Sequence, residues 1–572
     1  LSLDFRNLNT LWASILVETL SRLGLTHTVI SPGSRSTPLT LAFATHPSIE
    51  AIPVLDERSA AFFALGIAKR THLPVALVCT SGTAGANFYP AVIEAKESRI
   101  PLLILTADRP VELRHCHSGQ TIDQTRLYGH YPNWQTEIAT PEINLLPYLR
   151  QTILHAWERC LGATPGPVHL NIPFRDPLFP LANADILALE KGFDTQGFFS
   201  LPKASSFASG KSLLPDFSYS QGIIIAGVNS TASPENYSQA IAHLAKTLGF
   251  PVLAEALSPV RNYAEINPNL VSTYDLILRQ PHLKANLTPE VIIQIGELPT
   301  SKELRNWLSE LFCPRFIVDS SWENLDPLHS KTVHLRVNIK DLAKNAYNQI
   351  NTSGDYLTYW LELDKKTQQR ININLSNLLE LREAKIPWLL SQYLPQQTPI
   401  FLSNSMPVRD AEFFWMPNNL RIMPYFNRGA NGIDGTLSTA LGIAHGNQPT
   451  ILLTGDLALL HDTNGFLIKP KFQGSLTIIL INNNGGGIFE TLPISQFDPP
   501  FEEFFATPQN IDFSKLCQTY NVQYYCIKNW LELIKHIQIL PEEGIQVLEI
   551  LTDRKKDALW LQENLAKFAD FT

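Results

Sequence analysis

Asp456, in the pair Gly455-Asp456, stands 27 positions ahead of Asn483, which lies in the run Asn482-Asn483-Asn484-Gly485-Gly486-Gly487. Each half follows a buried-strand pattern, Thr450-Ile-Leu-Leu-Thr454 before the first and Leu476-Thr-Ile-Ile-Leu-Ile481 before the second. The segment between them has helix length. The stretch therefore reads as one β-α-β unit with an acid and an amide at its carboxyl edge, where parallel sheets bind ligands. Asp456, Asn483 and the carbonyl of Gly485 are hard oxygen donors suited to Mg2+ or Mn2+. So small a set leaves coordination positions for water and for phosphate oxygens. Asp456 also opens the intervening helix, where free N–H groups and the helix dipole favour an anion. Two ordinary turns would carry similar residues, because turns after strands are rich in Gly, Asp and Asn.

A second acid, Glu57, sits in Asp56-Glu57-Arg58-Ser59-Ala60, after the extended Ala51-Ile-Pro-Val-Leu55 and before a helix of small residues. Taken alone it reads as a helix-terminal carboxylate complementing the dipole. Cations occupy comparable strand-end loops: Arg35 in Ser31-Pro-Gly-Ser34-Arg35, Arg109 in Thr106-Ala-Asp-Arg109, then Arg409 and Arg428, with Lys302 between. Each singly reads as a solvated or salt-bridged side chain. Together, in an acidic chain, they would repel one another unless they met anions. Guanidinium and ammonium groups are the side chains that hold several carboxylates in a water-poor pocket. No Ser-His-Asp or Cys-His set stands out, and His115, His117 and His461 show no paired ligand spacing.

The elements that must position these groups alternate helix and strand. Leu11, Ile15, Leu16, Leu20 and Leu23 form a helical stripe that stops at Gly24. Short apolar runs follow at Thr28–Ile30, Val75–Val78, Leu102–Leu105 and Val168–Ile172, each ending in a polar loop. Further runs lie at Gly222–Ala226, Val291–Ile295, Arg315–Val318, Pro399–Leu402, Arg421–Tyr425 and Gln546–Leu551. This is the grammar of parallel α/β sheets. It predicts three doubly wound α/β domains at 1–185, 219–370 and 371–572, with a Ser-, Gly- and Pro-rich linker at 186–218.

The 572 residues are 44% hydrophobic and 17% charged, enough for a large core. A net charge of −8 with dispersed basic residues argues against nucleic acid as a partner. The cysteines at 79, 116, 160, 313, 517 and 526 include no C-x-x-C pair and read as reduced cytosolic thiols. No apolar run is long enough to span a bilayer, and the first residues lack a basic region followed by an apolar stretch. A cytoplasmic protein is expected.

The spacing of Gly455-Asp456 and Asn482-Asn483 resembles the metal–diphosphate motif of thiamine-diphosphate enzymes, with Leu457 where that motif normally has Gly. The resemblance implies that Glu57 is the acid contacting the aminopyrimidine ring, the residue that activates the cofactor. It implies that Thr80 and Ser81, in Thr80-Ser-Gly-Thr-Ala-Gly-Ala-Asn87, pack beside that ring. Ile433, in Asn427-Arg-Gly-Ala-Asn-Gly-Ile-Asp-Gly435, matches the apolar residue wedged between the cofactor rings. Gly455, Leu457, Ile488 and Phe489 complete the cofactor set, and the first and last domains become the pyrimidine- and diphosphate-binding domains.

Within that superfamily, Ser31-Pro-Gly-Ser-Arg-Ser36, Thr80-Ser-Gly-Thr-Ala84, Leu105-Thr-Ala-Asp-Arg-Pro110, Asn427-Arg-Gly-Ala430 with Gly432-Ile-Asp-Gly435, and Asn482-Asn-Asn-Gly-Gly486 with Ile488-Phe489 resemble one family nearly end to end. It is the 2-succinyl-5-enolpyruvyl-6-hydroxy-3-cyclohexene-1-carboxylate synthases of menaquinone and phylloquinone biosynthesis. The resemblance implies a transferase that decarboxylates 2-oxoglutarate and adds the resulting succinyl carbanion to isochorismate. It implies that Arg409 and Arg428 hold the 2-oxoglutarate-derived group, with Asn404 and Ser405 lining the same pocket. Ser34, Arg35, Arg109, Gln120 and Lys302 fall where isochorismate binds. Some relatives carry Arg after that lysine, whereas Glu303 stands here. A homodimer, or a dimer of dimers, is implied, with Glu57 of one chain serving cofactor held by Asp456 of the other. The competing readings are a sister carboligase such as acetolactate synthase, an inactive cofactor-binding homologue, and a dinucleotide oxidoreductase, for which no G-x-G-x-x-G arrangement is present.

Overall fold

The apolar runs become strands of three six-stranded sheets, and every pairing in them is parallel. The computed structural model describes residues 3–200, 217, 219–345 and 354–571. The first sheet contains β1 (His27–Ile30), β2 (Glu50–Pro53), β3 (Val75–Cys79), β4 (Leu102–Asp108), β5 (Trp134–Glu137) and β6 (Val168–Pro173). Its order is β2-β1-β3-β4-β6-β5. The second holds β7 (Gly222–Ala226), β8 (Val252–Ala254), β9 (Leu270–Val271), β10 (Val291–Ile295), β11 (Arg315–Val318) and β12 (Thr332–Leu335), ordered β9-β8-β7-β10-β11-β12. The third holds β13 (Pro399–Leu402), β14 (Met423–Tyr425), β15 (Thr450–Gly455), β16 (Ser475–Asn482), β17 (Gln523–Ile527) and β18 (Gly544–Leu551), ordered β14-β13-β15-β16-β18-β17.

Central strands such as β3 and β10 are buried at every position, as parallel strands covered on both faces must be. The first and third sheets repeat one strand order, in which the chain leaves one central strand toward one edge and its neighbour toward the other: between β1 and β3, and between β13 and β15. Such a reversal of strand order opens a crevice at the strands' carboxyl ends. The second sheet runs outward in both directions from its β7–β10 pair, the order of dinucleotide-binding folds.

By compactness the chain divides into two units. One comprises 1–210, 427–445 and 462–473; the other comprises 211–426, 446–461 and 474–572. In the first, helix Leu8–Leu23 starts at an Asn7–Thr10 capping box and stops at Gly24, whose φ of 108° few other residues adopt. Helix Glu57–Thr71 starts at Asp56, whose carboxylate accepts the Ser59 N–H. It crosses helix Thr436–Ala444 backbone to backbone. A Cβ on Gly66 would lie 2.1 Å from the Thr439 carbonyl oxygen, and one on Gly442 would lie 2.1 Å from that of Phe63. The core of this unit gathers Trp12, Leu16, Phe43, Ile153 and Trp157 around the first sheet. In the other unit one core surrounds the third sheet (Leu390, Phe414, Ile451, Ile479), and two cover the faces of the second.

Residues 184–199 of and beside the expected linker carry short helices, Ala184–Leu189 and Thr195–Phe199. Its positions 201–216 and 218 lie outside the described residues. Among the described residues no helix is long and apolar enough to cross a membrane.

Candidate active site

The reversal point of the third sheet carries Asn404 and Ser405 after β13, and Gly455 and Asp456 at the end of β15. The next strand, β16, delivers Asn483. Asp456 is buried and opens helix Asp456–His461. Its carboxylate accepts the Gly485 N–H at 2.9 Å, which fastens the turn after β16 to the turn after β15. Burial raises its pKa to about 6, while N–H groups of Leu457 and Gly485, and more distantly Arg554, favour the charged form. Leu457, in place of the usual Gly, contributes that backbone N–H and keeps its side chain half-buried. Gly485 has φ 147°, and a Cβ there would sit 2.5 Å from the Ala506 carbonyl oxygen, so this turn needs glycine.

Asn483 is buried; its Nδ2 donates to Glu383 Oε1 at 2.8 Å. Its Oδ1 is buried and finds no hydrogen-bond partner. A buried acceptor left open is costly unless something else satisfies it. A divalent ion would: one carboxylate, one amide oxygen and a glycine carbonyl match the hard donors that Mg2+ or Mn2+ takes, with room for phosphate oxygens. Asp456 stands without an acidic or imidazole triad, since no group of three His, Cys, Asp or Glu among the described residues could hold a metal. Ile488 packs on the third-sheet core, and Phe489 sets its ring edge against Phe505 at 5.9 Å.

Several residues that strand-end reasoning passed over support this edge. Glu383, in the turn before helix Lys385–Tyr393, accepts from Asn483 and from Thr552 Oγ1 (3.2 Å), and burial with Asp557 nearby raises its pKa to about 7. Asp410 is fully buried; burial, then Glu383 and Asp557, push its pKa far above the carboxylate range. Arg554 donates to the Asn484 carbonyl at 3.0 Å and pairs with Glu490 (2.9 Å) and Glu502. Arg554 follows β18 as Asp456 follows β15, so the same strand-end rule would have marked it. Glu383 had no such signal, because its partners lie about a hundred residues or more away in sequence.

Arg409 lies on helix Met406–Phe414 and donates to the Ser405 carbonyl at 2.6 Å; Ser405 itself holds φ 78°. The helix is tied down by buried Glu412, which pairs with Arg261 (3.2 Å) and accepts from Tyr274 and the Ala256 N–H. Lys302 opens helix Lys302–Ser309 with its side chain exposed. Glu303 turns instead to Arg279 (4.0 Å) and Lys284 (3.8 Å).

In the other unit, the reversal of the first sheet joins the Ser31–Arg35 loop after β1 to Thr80 and Ser81 after β3. The Arg35 N–H donates to Thr80 Oγ1 at 3.2 Å, and a Cβ on Gly33 would fall 2.2 Å from that of Thr80. Ser34 takes the neighbouring exposed position. Arg109, from the end of β4, donates to Ser81 Oγ (2.5 Å) and to the Gln120 carbonyl (2.7 Å), while Gln120 Nε2 returns to the Ser81 carbonyl (3.0 Å). Burial first, then the nearby Arg35 charge, lower the Arg109 pKa from its ordinary value. Sequence reading missed Gln124 and Asn171, which brace this loop: Gln124 accepts the Gly82 N–H at 2.7 Å and donates to Asn171 at 2.9 Å. Beside it, Arg114, His115, His117 and Thr121 help line a cavity of about 540 Å³.

Glu57 is the half-buried first residue of its helix, and its carboxylate adds to the burial that raises the Cys79 thiol's pKa, which places it near the end of β3. The loop bearing Arg428 and Ile433 belongs to this unit. Glu94, also missed from sequence, holds it by accepting the N–H groups of Gly429 (3.1 Å) and Ala430 (2.7 Å). Gly435, at φ 63°, lies against the Phe62 ring so closely that no Cβ fits. The structure thus gathers Ser34, Arg35, Glu57, Thr80, Ser81, Arg109, Gln120, Arg428 and Ile433 in one unit. It gathers Lys302, Asn404, Ser405, Arg409, Gly455, Asp456, Leu457, Asn483, Gly485, Ile488 and Phe489 in the other.

Residues 12–127 match the family model of the thiamine pyrophosphate enzyme N-terminal TPP binding domain, and residues 196–402 match that of the middle domain of thiamine pyrophosphate enzymes. Among solved structures, benzoylformate decarboxylase from Polynucleobacter necessarius superposes with a TM-score of 0.65 over 95% of this chain and 98% of its own, at 16% identity, a likeness of fold alone. Two full-length relatives share a single name, 2-succinyl-5-enolpyruvyl-6-hydroxy-3-cyclohexene-1-carboxylate synthase. The protein of Gloeothece citriformis is 61% identical, covering 100% of both chains. That of Microcystis aeruginosa is 63% identical, covering 99% of this chain and 100% of its own. On this full-length identity and on the three parallel sheets, the chain belongs to the 2-succinyl-5-enolpyruvyl-6-hydroxy-3-cyclohexene-1-carboxylate synthase family of thiamine-diphosphate enzymes.

Proposed function

We propose that this chain decarboxylates 2-oxoglutarate and joins the succinyl group to isochorismate, using thiamine diphosphate held through Mg2+ or Mn2+ on Asp456, Asn483 and the Gly485 carbonyl. The observation that carries the reading is the open, buried Oδ1 of Asn483 on a turn fastened to Asp456. When bound, the cofactor supplies the electron sink that decarboxylation of a 2-oxo acid requires. The chain's own part is orientation and charge. Gly455, Leu457, Ile488 and Phe489 border the metal turns and would receive the diphosphate and the ring next to it. Glu57 would share a proton with the aminopyrimidine nitrogen, Thr80 and Ser81 would flank that ring, and Ile433 would fix its angle.

Both substrates are dicarboxylates, and the strand-end loops together with the first turns of two helices present matching cations. Arg409 and Arg428 are assigned to 2-oxoglutarate, with Asn404 and Ser405 as hydrogen-bonding neighbours. Ser34, Arg35, Arg109, Gln120 and Lys302 are assigned to isochorismate. Two guanidiniums close enough for Arg35 to depress Arg109 favour a bound anion. That pair also disfavours a sister enzyme taking pyruvate, which would want an apolar pocket. With Glu303 turned toward Arg279 and Lys284, Lys302 carries its contact without a neighbouring arginine. We further propose a homodimer in which Glu57 serves cofactor held by the partner chain, located in the cytoplasm, as six free thiols suit.

The test is to supply thiamine diphosphate, Mg2+ and 2-oxoglutarate, with and without isochorismate, and follow CO2 and the adduct. Adduct forming only with isochorismate is the expected result, and Glu57→Gln should lower turnover by at least about 10²-fold while retaining cofactor. Product from pyruvate in place of 2-oxoglutarate would overturn the substrate assignment.

A further inference from the structure

We propose that Glu383 is a positioning residue that sets which end of the Asn483 amide faces the metal site; this rests on the metal reading above. The two ends of an asparagine amide are nearly the same size, but one is an oxygen ligand and the other a donor that repels a cation. Glu383 Oε1 stands 2.8 Å from Asn483 Nδ2 and also receives Thr552 Oγ1 at 3.2 Å. That oxygen accepts from both Asn483 Nδ2 and Thr552 Oγ1, so turning the amide over would set Asn483 Oδ1 against an accepting oxygen. A Cβ on Gly487 would lie 2.7 Å from Asn483 Nδ2, so glycine there leaves room for the amide in this pose. Asn483 Oδ1 is thereby left buried and open.

The neighbouring asparagine shows the contrast. Asn482 donates from Nδ2 to Glu549 Oε1 at 2.7 Å and accepts the Asn484 N–H on Oδ1 at 3.1 Å, so both its ends are engaged. Of these two adjacent amides, only the one held by Glu383 keeps an oxygen to offer. Partners that orient a ligand in this way are worth about 10- to 100-fold in metal affinity.

The experiment measures Mn2+ binding by electron paramagnetic resonance in the presence of thiamine diphosphate, for Glu383→Ala, Glu383→Gln and Asp456→Ala, with thermal melting of each without metal. Glu383→Ala should weaken Mn2+ by about 10- to 100-fold. Glu383→Gln, whose Oε1 still accepts, should recover most of that loss, and both should melt without metal close to the parent. A swap of donor and acceptor gives a second route: Asn483→Asp combined with Glu383→Gln should bind Mn2+ at least about tenfold more tightly than Asn483→Asp alone. Unchanged affinity in Glu383→Ala, or no gain in the combined variant, while Asp456→Ala abolishes binding, overturns the positioning role and leaves the metal site standing. Unchanged affinity in Asp456→Ala overturns the metal reading itself.

Discussion

At the scale of single residues, burial decides more than residue type. Fifteen histidines are present, and spacing singles out none of them. Tertiary structure singles out His169, on β6: fully buried, with Nε2 2.7 Å from Thr106 Oγ1 and its ring edge-on to Tyr128 at 4.8 Å. Burial lowers its pKa to about 3. The folded form therefore binds fewer protons than the unfolded one between that value and the ordinary 6.5, and stability falls as pH drops through 6.5. Between pH 7 and pH 5 this residue alone should remove about 2 kcal/mol. Denaturant unfolding of His169→Gln should show a loss smaller by about that amount; equal losses in both proteins would place the acid response elsewhere.

At the scale of elements, the carboxyl edge of the third sheet is a set of turns that strands deliver and one arginine fastens. Arg554 reaches the Asn484 carbonyl, Glu490 of helix Gly487–Glu490 and Glu502 beyond it, while the Gly486 N–H closes on the Ala506 carbonyl at 2.8 Å. Hydrogen bonds to charged groups contribute about 1.5–3 kcal/mol each. Arg554→Ala should therefore raise amide exchange across 485–506 by about tenfold or more, with exchange in β15 and β16 unchanged. Exchange confined to its former rate would mean the turns hold without that clamp. The same scale explains why central strands were legible and several edge strands were not. Apolar runs such as Val291–Ile295 and Leu102–Leu105 announce strands covered on both faces. Trp134–Glu137, an edge strand half-buried throughout, has no such run, and Gln523–Ile527 is too short and too exposed at alternate positions to announce itself. Pairing along one side is what makes them strands.

For the whole molecule, the proposed homodimer predicts complementation. Mixing Glu57→Gln with Asp456→Ala chains should restore about a quarter of parental turnover, since half the dimers are mixed and each holds one intact site. No recovery after subunit exchange would mean that Glu57 and Asp456 serve the same chain's cofactor. Sequence alone settled the β-α-β grammar and the acid and amide at a strand's carboxyl edge, because strand patterning and turn chemistry are local; that Arg409 and Lys302 stand on helices rather than in loops came only with the structure. Tertiary structure decided what no spacing carries. It placed the Asn404–Ser405 and Gly455–Asp456 turns together at one strand-order reversal, and drew the Ile433 loop to the helix of Glu57 through a glycine crossing. It also turned the Asn483 oxygen open by bringing up Glu383 from a hundred residues away. Those choices depend on which groups meet across the fold, and contact between distant residues exists only once the chain has packed.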